Sequence, residues 1–522
     1  MRVIIYDGGV QVTPIPGGLL NALRYTYRTQ EVSGYRKRWV SRKIDLFTRQ
    51  GDSVLTYPGF TDKVCEYMRL HHPDAKVIDG RSPLPEPAYD NLQPLRGRQD
   101  EALATLLSYH NGILKMPTGS GKSFLIGQLL RLFPESRTLI TTPSLSILDD
   151  LFRRCCEAVE DLGICVGMHS SKRKTDSQKL AKVPARSRTE PTVMVMSTGS
   201  LPNIDPDWPD ILLFDEVHEA ATGSRGPILV PFLGCRMYGF SATPFGRPDG
   251  ADAETEAFFG PVRYAVEYRE GVTSDMVVPI HVTMLRVVVR DFPEYSADHM
   301  RQRFGYWLNE ARNNAAMRYV HAHYTDDDQV LFLVRTVEHA VVLQELTGYP
   351  ICYSSITPST WLNLHKNGHR PLYTPEELQQ VNDWVVQQRS AEPPRTFRSV
   401  RKAVETAFLE GAVPCEAFLR ECKCDVNAFK DAFREGGLHR LIATTVFKQG
   451  VDFPRLNCLV RMDGMTGSIP SIQIGGRTSR KNDGKESGEV VDFLDDYGDY
   501  YLGRSYTRRT EYEKAGWTVR DV

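Results

Sequence analysis

No stretch of these 522 residues is apolar for long enough to cross a bilayer, and the opening MRVIIYDGG lacks the charged, apolar and cleavage-site succession of a secretory signal. With these absences neither a membrane span nor an exported, disulfide-stapled scaffold is expected, and the expected location is the cytoplasm. The ten cysteines follow no regular spacing, so reduced thiols are expected. A dominant charge is also missing. With 64 Lys and Arg against 65 Asp and Glu the net charge is −1, so a polyanion has to be held by local basic patches and not by a global field. Low-complexity tracts and short-period repeats are absent too. What the chain has is length, enough for about three or four domains, and an ordinary globular composition, 41% hydrophobic and 25% charged.

Between about residues 110 and 245, short β-rich runs alternate with helical stretches, the pattern of a parallel sheet covered on both faces. Strands are expected at Gly112–Lys115, Thr138–Thr142, Val193–Met196, Ile211–Phe214 and Arg236–Phe240. A second α/β pattern starts near Leu308. It has a helix to His323, a strand over Val330–Val334, a helix over Thr336–Leu346, and further strands at Leu441–Thr444, Cys458–Met462 and Val490–Leu494.

The strongest chemical signal is MPTGSGKS, Met116 to Ser123, placed between a strand and a helix. Such a loop wraps a triphosphate because Gly119 and Gly121 let backbone N–H groups turn inward, while the following helix offers its positive end. Pro117, Thr118 and Ser120 complete the loop. Lys122 is placed to reach the β- and γ-phosphates and the Ser123 hydroxyl to ligate Mg²⁺. Met116 occupies the position where this motif usually has glycine. A second element, LLFDEVHE, puts Asp215 and Glu216 at the end of an apolar strand, on the sheet edge that carries the loop. Asp215 suits the Mg²⁺ shell, Glu216 suits activation of the attacking water, and His218 suits coupling to a neighbouring lobe.

These motifs, in this order, resemble superfamily 2 helicases of the DExH kind, and specifically the XPB-like and phage UvsW-like branch-remodelling DNA helicases, over roughly residues 91 to 520. The resemblance implies that Arg96 and Gln99 of LRGRQ read the adenine of ATP. It makes Thr142, Pro143 and Thr198 strand contacts of the first lobe, and Ser241, Ala242 and Thr243 the link from hydrolysis to lobe movement. In IATTVFKQGVDFP it gives Gly450 and Asp452 to the nucleotide and Thr444 to the strand backbone. In SIQIGGRTSR it gives Gln473, Gly476, Arg477 and Arg480 to the catalytic edge of the second lobe. Guanidinium groups supplied from outside the phosphate loop suit the charge that develops on a transferred phosphoryl group.

The first ninety residues interleave cations with aromatics in RYTYR and GYRKRWVSRK. Two readings stand. Arg36, Lys37 and Arg38 hold phosphates while Trp39 stacks on a base, or Tyr35 and Trp39 form the core of a small sheet with a solvated basic exterior. The second-lobe insertion, with helices expected over Thr374–Gln388 and Arg398–Leu409, is either a further grip on DNA or a plain surface elaboration. Cys415, Cys422 and Cys424 near its end lack the paired spacing of ordinary zinc sites.

The expected fold is α/β, with two RecA-like parallel-sheet domains, a small N-terminal α+β accessory domain and a mostly helical insertion. The expected boundaries are 1–88, 89–285 and 286–522, with the insertion at about 356–424. The expected activity is ATP- and Mg²⁺-dependent unwinding, branch migration, fork regression or annealing of branched DNA in recombination, replication or repair, by a monomer. An RNA helicase, or a duplex translocase or clamp that does not separate strands, remains open.

Overall fold

Strands buried on both faces need no polar alternation, and the five-residue runs TLITT, VMVMS and ILLFD, all fully buried, follow that rule. The computed structural model describes residues 1–33, 36–143, 145–169, 192–221, 225–247, 251–369, 375–397, 400–413, 424–447, 453–466, 475–482 and 484–522. Within these the chain divides into two compact units, Met1–Val278 with Ser479–Lys481, and Pro279–Thr478 with Asn482–Val522.

The first unit opens with an N-terminal sheet of β1 (Arg2–Tyr6), β2 (Gly9–Thr13), β5 (Phe47–Gln50), β6 (Ser53–Thr56) and β7 (Lys76–Asp79), ordered β5-β6-β2-β1-β7. Between β2 and β5, β3 (Arg24–Ser33) and β4 (Arg36–Asp45) form a separate antiparallel ribbon, in register from Arg24↔Asp45 to Ser33↔Arg36. A seven-stranded parallel sheet follows: β8 (Gly112–Lys115), β9 (Thr138–Thr142), β10 (Val166–His169), β11 (Val193–Ser197), β12 (Ile211–Asp215), β13 (Arg236–Ser241) and β14 (Val262–Ala265), ordered β10-β11-β9-β12-β13-β8-β14. The two sheets share one core. Val3, Val10 and Phe60 of the N-terminal part cluster with Phe214, Phe258 and Phe259. Gly59 is required at this junction, because a Cβ there would run into the carbonyl oxygens of Glu256 and Ala257.

The second unit holds another seven-stranded sheet: β15 (Ile280–Val288), β16 (Gln329–Leu333), β17 (Ile351–Cys352), β18 (Arg440–Ala443), β19 (Leu456–Arg461), β20 (Gly488–Asp496) and β21 (Thr518–Asp521). Its order is β17-β18-β16-β19-β20-β15-β21, every pairing parallel. The fold class read from the sequence is therefore the one observed: two parallel α/β sheets, a small N-terminal sheet and a helical insertion. The insertion's described helices, Pro358–Lys366, Pro375–Arg389 and Val400–Leu409, bury Trp361, Val381, Trp384, Ala403 and Ala407 in a cluster of their own. Among the described residues no helix is long and apolar enough to cross a membrane.

Candidate active site

The loop after β8 owes its shape to two glycines in the left-handed region, Gly119 at φ 89° and Gly121 at φ 95°, immediately before the helix Lys122–Leu132. Side chains would fill this cradle. A Cβ on Gly119 would lie 3.1 Å from Cγ of Arg480, and one on Gly121 would collide with the Gln99 amide nitrogen. Ser120 is fully buried, and its hydroxyl donates to the Pro117 carbonyl at 2.8 Å.

Gln99 is also fully buried and splints the loop. Its Nε2 donates to the Ser120 carbonyl at 3.0 Å and its Oε1 accepts from the Arg96 backbone N–H at 3.1 Å. The amide oxygen and one amide hydrogen of the residue expected to read adenine are thus spent on backbone, whereas the Arg96 side chain is exposed.

Lys122 turns its Nζ back onto the carbonyls of Met116 and Pro117, at 3.1 and 3.0 Å. Burial lowers its pKa against the pull of Glu216 and Asp215, and the Arg480 charge lowers it further. Asp215, at the end of β12, is 6% exposed, and burial together with the Glu216 charge pushes it up to about 7 although Lys122 opposes this. Glu216 adopts φ 60°, ψ 51°, a left-handed conformation that is uncommon for a non-glycine residue and is most often kept where function requires it. His218 is 2% exposed, so it is not a surface residue. Its Nδ1 lies 3.3 Å from Glu216 Oε2 and 3.2 Å from the Ser241 hydroxyl, which in turn accepts from the Thr243 backbone N–H at 3.1 Å. The expected coupling residues thus form one polar run from Glu216 past Ala242 to the loop after β13.

Ser479 and Arg480, expected on the second lobe, cluster with the first unit. Ser479, a residue of SIQIGGRTSR to which the motif gave no role, donates its hydroxyl to the Thr118 carbonyl at 3.0 Å. Gly476 and Arg477 belong to the second unit, where Arg477 is 6% exposed. Gln473, Gly450 and Asp452 lie outside the described residues, as do Tyr35, Cys415 and Cys422. The backbone of Arg36, Lys37, Arg38 and Trp39 is placed in β4, and their side chains lie outside the described set. Thr142 and Thr198 are fully buried, and the Thr198 hydroxyl meets that of Thr141 at 3.3 Å. As placed, these side chains are packed inside the sheet edge and not presented to a strand, whereas Pro143 beside them is half-buried. Thr444, 6% exposed, sits at the end of β18 with its N–H on the Cys352 carbonyl. Cys424 approaches Cys352, with 3.9 Å between sulfurs, and among the described residues no group of three or more His, Cys, Asp or Glu is arranged to hold a metal ion.

A buried ion network in the second unit has no counterpart in the motifs. Arg312 donates to Asp495 at 3.0 Å, Arg461 to Asp463 at 3.1 Å and Arg508 to Asp492 at 2.9 Å, all with side chains at most 1% exposed. Tyr512 donates to Asp492 at 2.6 Å. The signal was in VVDFLDD, where carboxylates interrupt a run that is otherwise a buried strand and so demand partners.

The first unit's residues fit a nucleoside triphosphate with a divalent cation. The cradle is one that a Cβ would fill, the lysine is half-buried, and burial holds the carboxyl of Asp215 towards its neutral form. Residues 96–249 match the DEAD/DEAH box helicase family. The chain is 23% identical over 432 residues to the DNA 3'-5' translocase XPB2 of Sulfurisphaera tokodaii, across 83% of this chain and 88% of that protein. It is 24% identical over 255 residues to the DNA 3'-5' helicase XPB of Kineococcus radiotolerans, across 46% of this chain and 42% of that one. The crystal structure of T4 UvsW aligns with 100% of this chain and 99% of its own, at 14% identity and a TM-score of 0.38. Residues 96–249 therefore carry a DEAD/DEAH box helicase domain, and the chain is similar to ATP-dependent helicases and translocases of DNA. Over most of its length the chain is similar to the XPB2 translocase.

Proposed function

We propose that this chain is an ATP- and Mg²⁺-dependent DNA motor that remodels branched or partly single-stranded DNA. The observation that carries the catalytic half is the convergence of buried Asp215 with half-buried Lys122 and Glu216 at one sheet edge, beside a loop opened by two left-handed glycines. Loop N–H groups and Lys122 bind the phosphates. Ser123 and Asp215 hold the cation, which when bound screens phosphate charge. Glu216 orients and deprotonates the attacking water, and its strained backbone fixes where the carboxylate points. His218, Ser241 and Thr243 report the state of Glu216 to the loop after β13. Arg480, beside Gly119, stabilises charge developing on the transferred group.

DNA as the polymer is supported by the XPB relatives, whose names specify DNA translocation and helicase activity. Branched DNA as its form is supported by the UvsW-like motif set, and by the ribbon β3–β4, whose strand β4 carries Arg36, Lys37 and Arg38. The experiment is steady-state ATP hydrolysis with no polymer, single-stranded DNA, a four-way DNA junction and a matched structured RNA. The expected result is stimulation by DNA, greatest with the junction, lost in Lys122→Ala. Glu216→Gln should retain ATP binding and lose turnover. Stimulation by RNA alone would overturn the substrate, and wild-type turnover in either variant would overturn the site.

A further inference from the structure

The insertion leaves and rejoins the second unit beside two cysteines. Cys352 ends β17, Cys424 stands just before the helix Val426–Glu435, and the insertion's described helices lie between them. The two residues are 72 positions apart in the chain, yet their sulfurs are 3.9 Å apart. Packing on the sheet brings them together. β17 is an edge strand paired to β18 through Ile351↔Ile442 and Cys352↔Ala443. Phe429 and Phe433 of the helix pack in the same apolar cluster as Cys352, Phe447 and Phe453. The folded unit has therefore already met the entropy of closing this loop.

Both thiols are free, and their surroundings differ. Cys352 is fully buried, and burial, with Cys424 beside it, pushes its thiol well above the usual range. A thiol so placed is inert towards reagents in solution. Cys424 is half-buried, so it is the member of the pair that solvent reaches. Its sulfur also lies 3.9 Å from the Ile351 carbonyl oxygen. Among the described residues no group of three or more ligand side chains joins the two sulfurs, and a structural zinc site needs four ligands. What two adjacent thiols can do without a metal is form a disulfide. The bond needs the sulfurs about 2.05 Å apart, so they must close by about 2 Å. The backbone on both sides can give: Cys352 sits on a two-residue strand held from one side, and Cys424 lies outside any helix.

We propose that Cys352 and Cys424 are a redox pair that closes the base of the insertion with a reversible disulfide when the protein meets a small disulfide oxidant such as oxidised glutathione. Cys424 acts first. Its thiolate attacks one sulfur of the oxidant, expels one thiolate and leaves a mixed disulfide. Cys352 then loses its proton to solvent and attacks the Cys424 sulfur, and the second small thiolate departs. Two protein thiols are oxidised and one small disulfide is reduced to two thiols, a two-electron exchange that excess small thiol reverses. The closed form ties both ends of the insertion to β17, so its helices cannot part from the sheet edge independently. The inference does not depend on the motor reading above.

The test exposes the reduced full-length protein to oxidised glutathione, native or in urea, followed by acid quenching, alkylation and tryptic peptide mapping without reduction. The expected product in the native protein is Thr336–Lys366 joined to Cys424–Lys430, two peptides with one cysteine each. In urea, closure entropy favours the short Cys415–Cys424 loop over the Cys352–Cys424 loop by about twentyfold, and the native fold should reverse that preference. Cys415→Ser/Cys422→Ser should still form the Cys352–Cys424 link. Cys352→Ser should stop at a glutathione adduct on Cys424, and Cys424→Ser should leave Cys352 unmodified. Oxidation should also slow native proteolysis between residues 353 and 423 while leaving cleavage of the first unit unchanged. A Cys352–Cys424 link no more abundant in the native protein than in urea would overturn the pair, as would a wild type that stops at the Cys424 adduct. Unchanged proteolysis of the linked form would overturn the fastening of the insertion.

Discussion

Replacing Arg508 with leucine should cost the second unit about 3–5 kcal/mol, the range for breaking a buried ion pair from one side. Arg508 is fully buried on the helix Asp499–Lys514 and bonds Asp492 at 2.9 Å, Asp495 at 3.3 Å and the Phe493 carbonyl at 3.0 Å. Leucine fills part of the volume but leaves two carboxylates short of a cation. Neither is abandoned: Asp492 keeps Tyr512 at 2.6 Å, and Asp495 keeps Arg312 at 3.0 Å. The loss should therefore stay below the full cost of an isolated buried charge. Urea unfolding of the wild type and the variant, with Arg508→Leu/Asp492→Asn as the second arm, measures this. The double variant should recover part of the loss, because it removes one of the carboxylates left short of a cation. A loss under about 1 kcal/mol would refute the reasoning, since a surface pair behaves that way.

Other outcomes follow from the first unit. Gly121→Ala should abolish binding of a fluorescent ATP analogue, because the left-handed backbone costs a side chain about 1–2 kcal/mol and the new methyl group strikes Gln99. Asp215→Asn should raise the thermal stability of nucleotide-free protein, and by more at pH 8 than at pH 5. Burial lifts this carboxyl to about 7, so its destabilising charge is absent below the ordinary value and grows as pH rises through the folded one. Replacing Arg36, Lys37 and Arg38 together with alanine should weaken DNA binding and flatten its salt dependence by up to about 2 in slope. An unchanged slope would mean that β4 is only a solvated basic strand.

The central strands were legible because a sheet covered on both faces writes itself as continuous apolar runs. Gly112–Lys115 and Thr138–Thr142 are observed as read, and their neighbours differ by a residue or two at their ends. The strands that were missed carry a different local pattern. β14 is VRYA and β21 is TVRD, half-buried or exposed edge strands. β15 was missed for a topological reason. Its partners β20 and β21 lie about two hundred residues later in the chain, so nothing nearby marks it as central. At the site, spacing was enough to pick out Lys122, Asp215 and Glu216. Spacing could not show that Gln99 splints the phosphate loop, that His218 is buried, or that Ser479 bonds Thr118. Each of these depends on which backbone atoms happen to lie opposite, a tertiary fact.

The phosphate site is held at a cost that only its ligands can return. Glu216 sits in a left-handed conformation, the Asp215 carboxyl is pushed towards its neutral form, and burial disfavours the charge on Lys122 although two carboxylates lie nearby. These three features act in the same direction. In a stable core each would be relieved by a small change: glycine at 216, asparagine at 215, an apolar residue at 122. Keeping them places this unrelieved strain and charge beside the polar run from His218 to Thr243, in the loop after β13. Stabilisation by a bound ligand scales with the logarithm of its concentration over its Kd. The occupancy of this site therefore sets how firmly that loop is held, and a motor needs such a dependence if each nucleotide state is to correspond to a different grip.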